Sequence, residues 1–197
     1  MTPTQLAFGA GLVAAAGVYG IVCGTLLTDH EWWPPGDRTP AYYCHWTLVG
    51  VFDVALFATA VLDFGGWGLP APASSVGLVA ALLGTAVFVR SARAMDSAET
   101  MGVTGDLYTD GPYAYSRNPQ YVGMIVGVSG FALAVDSALV AALAAAHVGW
   151  VLLLPRAEEP HLRAAFGDAY DRYAARVPRF VGIRTLYGRG DDEELPH

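Results

Sequence analysis

Lysine is absent: all 11 basic side chains of this 197-residue chain are arginine, and only 15% of residues are charged. The formal net charge of -7 supplies no basic face for a phosphate backbone, which excludes a nucleic-acid binder. There are 2 cysteines, Cys23 and Cys44, without CxxC spacing or companions for a zinc site, so they read as ordinary small residues. A Gly-x-Gly-x-x-Gly fingerprint is missing. Gly66 and Gly68 share its first spacing but run into Pro70 rather than a helix, so a soluble dinucleotide or nucleoside fold is unsupported. The first apolar run lacks the basic start and small-residue cleavage site of a secretory signal, and is expected to be retained.

Apolar sequence is abundant: 54% of the residues are hydrophobic and the mean hydropathy is +0.38, outside the usual soluble range. The expected fold is all-α, a multi-pass integral membrane protein of about five transmembrane helices. Leu6 to Leu27 carries no charge and is long enough to cross about 30 Å of hydrocarbon. Trp46 to Leu62 is apolar except for Asp53. Leu69 to Val89 is uncharged and helix-permissive once past Pro70 and Pro72. From Tyr121 to Leu154 the only formal charge is Asp136, between two apolar runs, which predicts a helical hairpin turning there; one long helix would put Asp136 in lipid.

Arginine placement sets the orientation. Arg90, Arg93 and Arg117 flank the loop after the third span, and seven of the 11 arginines lie from Arg156 onward, so both regions are expected in the cytoplasm. Five spans then place the N-terminus outside, and Asp29 to Cys44 on the cytoplasmic side. Residues 1–187 read as one domain. The tail Gly188 to His197, with Asp191, Asp192, Glu193 and Glu194, reads as solvated and without chemistry.

Two stretches stand apart. In GPYAYSRNPQYVG, Gly111 to Gly123, Asp110 and Gly111 signal a turn, Pro112 fixes the next dihedral, and Pro119 keeps Asn118 out of a helix, so the fourth span starts near Pro119. Tyr113, Tyr115 and Tyr121 suit interface anchors. Anchoring leaves Arg117 unexplained, at the mouth of a membrane helix whose N–H groups favour an anion. In PRAEEPHLRAAFGDAYDRYAARVPRF, Pro155 to Phe180, Pro155 is expected to end or bend the fifth span. Leu162, Phe166, Ala169, Tyr170, Tyr173 and Val177 then recur at the spacing of an amphipathic surface helix. Glu158 and Glu159 sit at its expected start, where carboxylates suit the helix dipole.

The order and spacing of Gly111-Pro112-Tyr113, Arg117, Pro119, Tyr121, Gly123, Glu158-Glu159, Phe166-Gly167, Tyr170, Tyr173 and Arg176-Val177-Pro178 resemble the isoprenylcysteine carboxyl methyltransferase and phospholipid methyltransferase superfamily of integral membrane enzymes. The resemblance covers about Tyr108 to Gly182; residues 1–107 match only as generic membrane helices. The family usually has Arg-His-Pro where this chain has Asn118 in the middle position. Asparagine keeps a donor and an acceptor but does not titrate near neutral pH, so a hydrogen-bonding role survives there and an acid/base role does not.

The resemblance implies S-adenosylmethionine as methyl donor, bound at the cytoplasmic face by Tyr113, Arg117, Asn118, Pro119, Tyr121, Gly123, Glu158 and Glu159. Arg117 and Glu159 are the expected catalytic residues, and no metal is expected. The ligand's carboxylate suits an arginine, its ammonium and ribose hydroxyls suit carboxylates, and its sulfonium suits aromatic faces. The acceptor is expected to be lipophilic, with carboxylate, amine, thiol and hydroxyl all chemically open.

Other polar residues have two readings each. Asp53 is either functional or close to an interface, and His147 is a helix-to-helix hydrogen bonder before it is a catalyst. His30, Glu31, Trp32, Trp33 and His45 either cover the acceptor site or anchor at the interface. Three other functions compete with methyl transfer. A membrane reductase of the sterol-reductase type would need more basic residues for its nicotinamide cofactor. Glu158 and His161 would form half of a dimetal site, which needs a second such pair. A non-enzymatic membrane scaffold is the last.

Overall fold

The computed structural model describes residues 1–30, 32–95, 100–103 and 105–182. Glu31 and the acidic tail lie outside the described residues. Within them the chain is helical, with six α-helices and one 3-10 turn: α1 Pro3–Leu27, α2 Pro40–Leu62, α3 Ala71–Ala92, the turn Gly111–Ala114, α4 Pro119–Val135, α5 Ala138–Phe166 and α6 Asp168–Arg176. Four helices, α1, α2, α3 and α5, are long and apolar enough to span a membrane. The fifth, α4, has 17 residues, which at 1.5 Å per residue gives about 26 Å. The molecule is a multi-pass membrane protein whose outward faces carry Val54, Phe57, Val61, Val76, Val79 and Leu82 exposed, as lipid contact requires.

Local chemistry fixes the helix ends. Thr2, Thr39 and Ser137 accept from backbone amides at the starts of α1, α2 and α5, filling the donors a helix start leaves open. Asn118 is the non-helical residue before Pro119, with φ -133° and ψ 57°, and α4 begins at that proline as the sequence predicts. The hairpin also turns where expected. Asp136 adopts the left-handed conformation with φ 57°, which aspartate tolerates better than most residues. Its carboxylate accepts from the Leu69 amide at 2.8 Å, while Ser137 donates to Asp63 at 2.6 Å, so the α2–α3 loop closes over the turn.

Two expectations about the last third need correction. Pro155 does not end the fifth span: α5 runs through both Pro155 and Pro160 to Phe166. A proline in a helix interior costs about 3 kcal/mol, and Pro155 sits in a buried stretch of α5 with Trp150, Val151, Leu154 and Ala157. The expected single amphipathic helix is divided at Gly167, whose positive φ of 52° ends α5 and starts α6. Leu162 and Phe166 therefore belong to α5, and Tyr170 and Tyr173 to α6.

Glycine decides the tightest contact, between α3 and α4. A Cβ on Gly123 would lie 2.5 Å from the Phe88 amide nitrogen, one on Gly77 would meet the Ala134 amide, and one on Gly84 would fall on the Gly127 backbone. With no hydrophobic drive between helices in lipid, such close approach of small residues is what holds a pair together. On the other side α1 packs on α2 and α5, with the Tyr19 hydroxyl donating to the Ala146 carbonyl at 3.0 Å. Between the α3–α4 pair and α2 lies a cleft. Toward the Asp136 end Phe57 of α2 meets Phe131 of α4, with ring centroids 5.3 Å apart.

Candidate active site

The cleft widens at the opposite end into a cavity of about 400 Å³. Three segments far apart in sequence build it. The loop after α1 brings in Trp33, held because Thr25 of α1 accepts from the Trp33 amide at 2.9 Å. The approach to α4 brings Tyr113, Arg117 and Asn118, and the end of α5 with α6 brings Glu158, Glu159, Tyr170 and Tyr173. A backbone bridge between Gly36 and Val103 joins the first two loops. All of them lie at the end of the bundle remote from the Asp136 turn.

The two glutamates have different surroundings. Glu159 accepts a two-pronged bond from Arg179, at 2.7 and 2.8 Å. It also pairs with Arg117 at 3.1 Å and Arg163 at 3.8 Å. Three guanidiniums thus meet one buried carboxylate. The Arg179 guanidinium is held above its ordinary pKa chiefly by its bond to Glu159. Glu158 has neutral partners: the Trp33 indole N–H donates to Oε1 at 2.8 Å and the Tyr121 hydroxyl donates to the same oxygen. Among the described residues no arginine or histidine reaches Glu158.

Arg117 is the hinge of the cluster. One terminal nitrogen reaches both Glu159 and the Tyr170 hydroxyl, the latter at 3.0 Å, and its guanidinium lies 5.9 Å from the Tyr170 ring centre. Among the described residues its buried Nε has no hydrogen-bond partner. Burial pushes the Tyr170 and Tyr173 phenols above their ordinary values, so both stay protonated. Tyr173 donates to the Tyr113 carbonyl at 2.7 Å, fastening α6 to the 3-10 turn.

Of the residues expected at a cofactor site, Tyr113, Arg117, Asn118, Tyr121, Glu158 and Glu159 line one cavity. Pro119 and Gly123 do not: Pro119 is buried at the start of α4 and Gly123 faces α3. Sequence reasoning left out Arg179 and Gln120. Arg179 follows the last recognised motif, Arg176-Val177-Pro178, and its role depends on the chain folding back so that the Arg117 amide bonds the Pro178 carbonyl at 2.9 Å. Gln120 is buried and donates to the Tyr113 hydroxyl at 2.9 Å. Trp33 is buried, whereas Trp32 is exposed. Among the described residues no three metal-ligating side chains come together.

Residues 73–169, just under half of the chain, match the family model of phospholipid methyltransferase. Over that segment the chain is similar to integral membrane methyltransferases of the phospholipid and isoprenylcysteine kind. Among curated relatives it is 38% identical over 79 residues to the protein-S-isoprenylcysteine O-methyltransferase of Schizosaccharomyces pombe, a match covering 39% of this chain and 33% of that one. It is 33% identical over 94 residues to the nickel-cobalt-cadmium resistance protein NccN of Alcaligenes xylosoxydans xylosoxydans, covering 47% and 43% of the two chains. It is 34% identical over 94 residues to the cobalt-zinc-cadmium resistance protein CzcN of Cupriavidus metallidurans, covering 46% and 42%. The chain thus spans between a third and a little over two fifths of the curated relatives it matches. No solved structure matches it. These relationships favour methyl transfer over the reductase alternative.

Proposed function

We propose that the protein is an S-adenosylmethionine-dependent methyltransferase acting on a lipophilic acceptor, with its site and C-terminal helix at the cytoplasmic face of the cell membrane. The observation that carries this reading is the continuity of one cavity. It runs from the charged cluster of Arg117, Glu158 and Glu159 to the apolar wall of Val49, Met124 and Val151 inside the bundle. A charged donor and an amphiphilic acceptor need those two environments in contact.

The residues fit the donor. Among the described residues Arg117 keeps a buried guanidine N–H unpaired, and Glu158 is a carboxylate held by neutral donors. Together they offer the two charges that an amino-acid zwitterion requires. The cavity volume is in the range of small-molecule sites. Arg117 would take the carboxylate, Glu158 the ammonium or ribose hydroxyls, and Tyr121, Tyr170 and Tyr173 would provide the aromatic surroundings of the sulfonium. When bound, S-adenosylmethionine supplies an electrophilic methyl group.

The chain's own part is alignment and exclusion of water. Trp33 and Tyr121 fix the Glu158 carboxylate, Asn118 and Glu159 fix the Arg179 segment, and the membrane helices keep the inner cavity dry. Pro119 and Gly123 contribute by positioning: the first starts α4, and the second lets it lie against α3.

Titration of the detergent-purified protein with S-adenosylmethionine tests the reading, with reduced nicotinamide and divalent metals as comparison ligands. The methyl donor should bind, and Arg117→Ala and Glu158→Gln should each weaken it at least about tenfold, as loss of a charge-assisted bond in a dry site predicts. Lipid extracts of cells with and without the protein, compared by mass spectrometry, should then differ in a species heavier by one methyl group. Binding of the nicotinamide and not of S-adenosylmethionine would sink the proposal.

A further inference from the structure

Of the polar side chains that line the cavity, the two deepest in the bundle have no task in that reading. Asp53 of α2 and His147 of α5 both line the cavity. Among the described residues neither makes a hydrogen bond or ion pair. His147 is held as a ring, stacked on Trp150 with centroids 4.8 Å apart and edge-on to Phe52 at 5.7 Å, and its buried Nδ1 has no partner. An ionisable residue in a membrane span is costly and points to a ligand pathway or a partner. No protein partner for either residue is present among those described.

Their depth is informative. His147 precedes Glu158 on the same helix by three turns, about 16 Å at 1.5 Å per residue. Asp53 follows His45 on α2 by two turns, about 12 Å. Between the charged cluster and this inner pair the lining is Trp46, Val49, Met124, Trp150, Val151 and Leu154. The cavity is therefore polar at both ends and apolar in the middle. A diacyl lipid or a plain prenyl chain, seated with its head at Glu158, would be pure hydrocarbon at the depth of Asp53 and His147.

We infer that the acceptor carries a second hydrogen-bonding group at the far end of its apolar body, bound by Asp53 and His147. A hydroxyl suits the pair, because it donates to a carboxylate and accepts from, or donates to, an imidazole nitrogen. The acceptor is thus a bipolar amphiphile rather than a simple membrane lipid. This inference rests on the methyltransferase reading for which end is methylated, but not for the binding at the inner pair.

The test uses two probes, dodecanol and dodecane-α,ω-diol, titrated into the full-length detergent-purified protein by the fluorescence of the cavity tryptophans. The quantity read is the ratio of the two dissociation constants, compared among wild type, Asp53→Leu and His147→Phe; partition of the probes into micelles is common to all three. Each substitution should move the ratio about tenfold toward dodecanol, since an uncompensated hydrogen-bonding group in a dry site is at stake. Asp53→Asn, which retains a donor and an acceptor, should move it less and keeps the test available if His147→Phe does not fold. An unchanged ratio in Asp53→Leu, or no binding of either probe, overturns the inference. A shifted ratio in a protein that does not bind S-adenosylmethionine supports the inner site and overturns the methyltransferase reading instead.

Discussion

The Asn118 side-chain amide donates to the backbone carbonyl of Arg179 across 2.8 Å, and the side chain of that same Arg179 grips Glu159. The start of α4 thereby places a guanidinium that lies 61 positions away in sequence. The bond needs a neutral N–H donor, so asparagine serves at this position without titrating. Asn118→Ala should lower stability by about 1 kcal/mol, a fall in Tm of about 2–4 °C for a chain of this size. Asn118→Asp should cost more, because a carboxylate would face the Arg179 carbonyl with nothing to donate. Thermal unfolding in one detergent compares the series, and an Asn118→Asp protein as stable as wild type would show that the bond is not made.

The neighbouring glutamates should behave oppositely. Glu159→Gln removes the one anion shared by Arg117, Arg163 and Arg179. Breaking a buried pair by removing one partner costs about 3–5 kcal/mol, so this protein should unfold early whether or not ligand is present. Glu158→Gln removes a charge that rests on the Trp33 and Tyr121 donors. It should leave the unliganded Tm within a few degrees of wild type and abolish the gain in Tm on adding S-adenosylmethionine. Equal effects of the two substitutions on the unliganded protein would contradict this division of roles.

The glycines between α3 and α4 give a stability prediction independent of any ligand. Gly123→Ala would place a methyl group 2.5 Å from the Phe88 amide nitrogen, which backbone cannot accommodate without moving. Overpacking of this kind costs about 1–3 kcal/mol. Gly20→Ala is the matched control, because a Cβ there meets nothing within 4 Å, and the better helix propensity of alanine should leave it neutral or slightly stabilising. If both variants melt alike, close approach of α3 and α4 does not hold the pair together.

Much of this arrangement was legible in the sequence, and for identifiable reasons. The four long apolar helices with the shorter α4, the turn at Asp136 and the start of α4 at Pro119 follow from bilayer thickness and from local dihedral restrictions, which act over a few residues. The course of α5 through Pro155 was not legible, because it depends on burial of Trp150 and Leu154 against other helices. Nor was the break at Gly167 read from the spacing of Leu162, Phe166, Tyr170 and Tyr173, since glycine's tolerance of positive φ interrupts a periodicity without altering it. Arg117, Glu158 and Glu159 stood out as charges in apolar surroundings. Arg179 did not, because it reaches Glu159 only after the chain has folded back along residues 117 and 118.

Relative sidedness follows from the fold. The α1–α2 loop meets Glu158 through Trp33, so Cys44 at the start of α2 lies on the same side of the membrane as α6. Cys44 is exposed. A membrane-impermeant maleimide should label it in inverted vesicles and not in intact cells, with Cys44→Ala as the control that removes the signal. Labelling from outside would reverse the proposed orientation while leaving the site and α6 on one common side.

For the lipophilic acceptor proposed above, the cavity wall between α2 and the α3–α4 pair would be the route from the bilayer. Phe57 and Phe131 meet toward the Asp136 end, while Val49 of α2 and Met124 of α4 line the cavity. An amphiphile dissolved in the membrane would be spared transfer through water by lateral access. Chain length should then appear in kcat/KM. Each methylene removed from an active acceptor should lower kcat/KM about fourfold, the equivalent of about 0.8 kcal/mol of lost burial. Val49→Trp and Met124→Trp, which fill the cleft, should raise KM for the full-length acceptor several-fold while leaving the affinity for S-adenosylmethionine unchanged, because a charged donor must arrive from the aqueous side. A water-soluble truncated acceptor that matches the full-length one in kcat/KM, with detergent held constant, would show that the spans anchor the enzyme and do not admit its substrate.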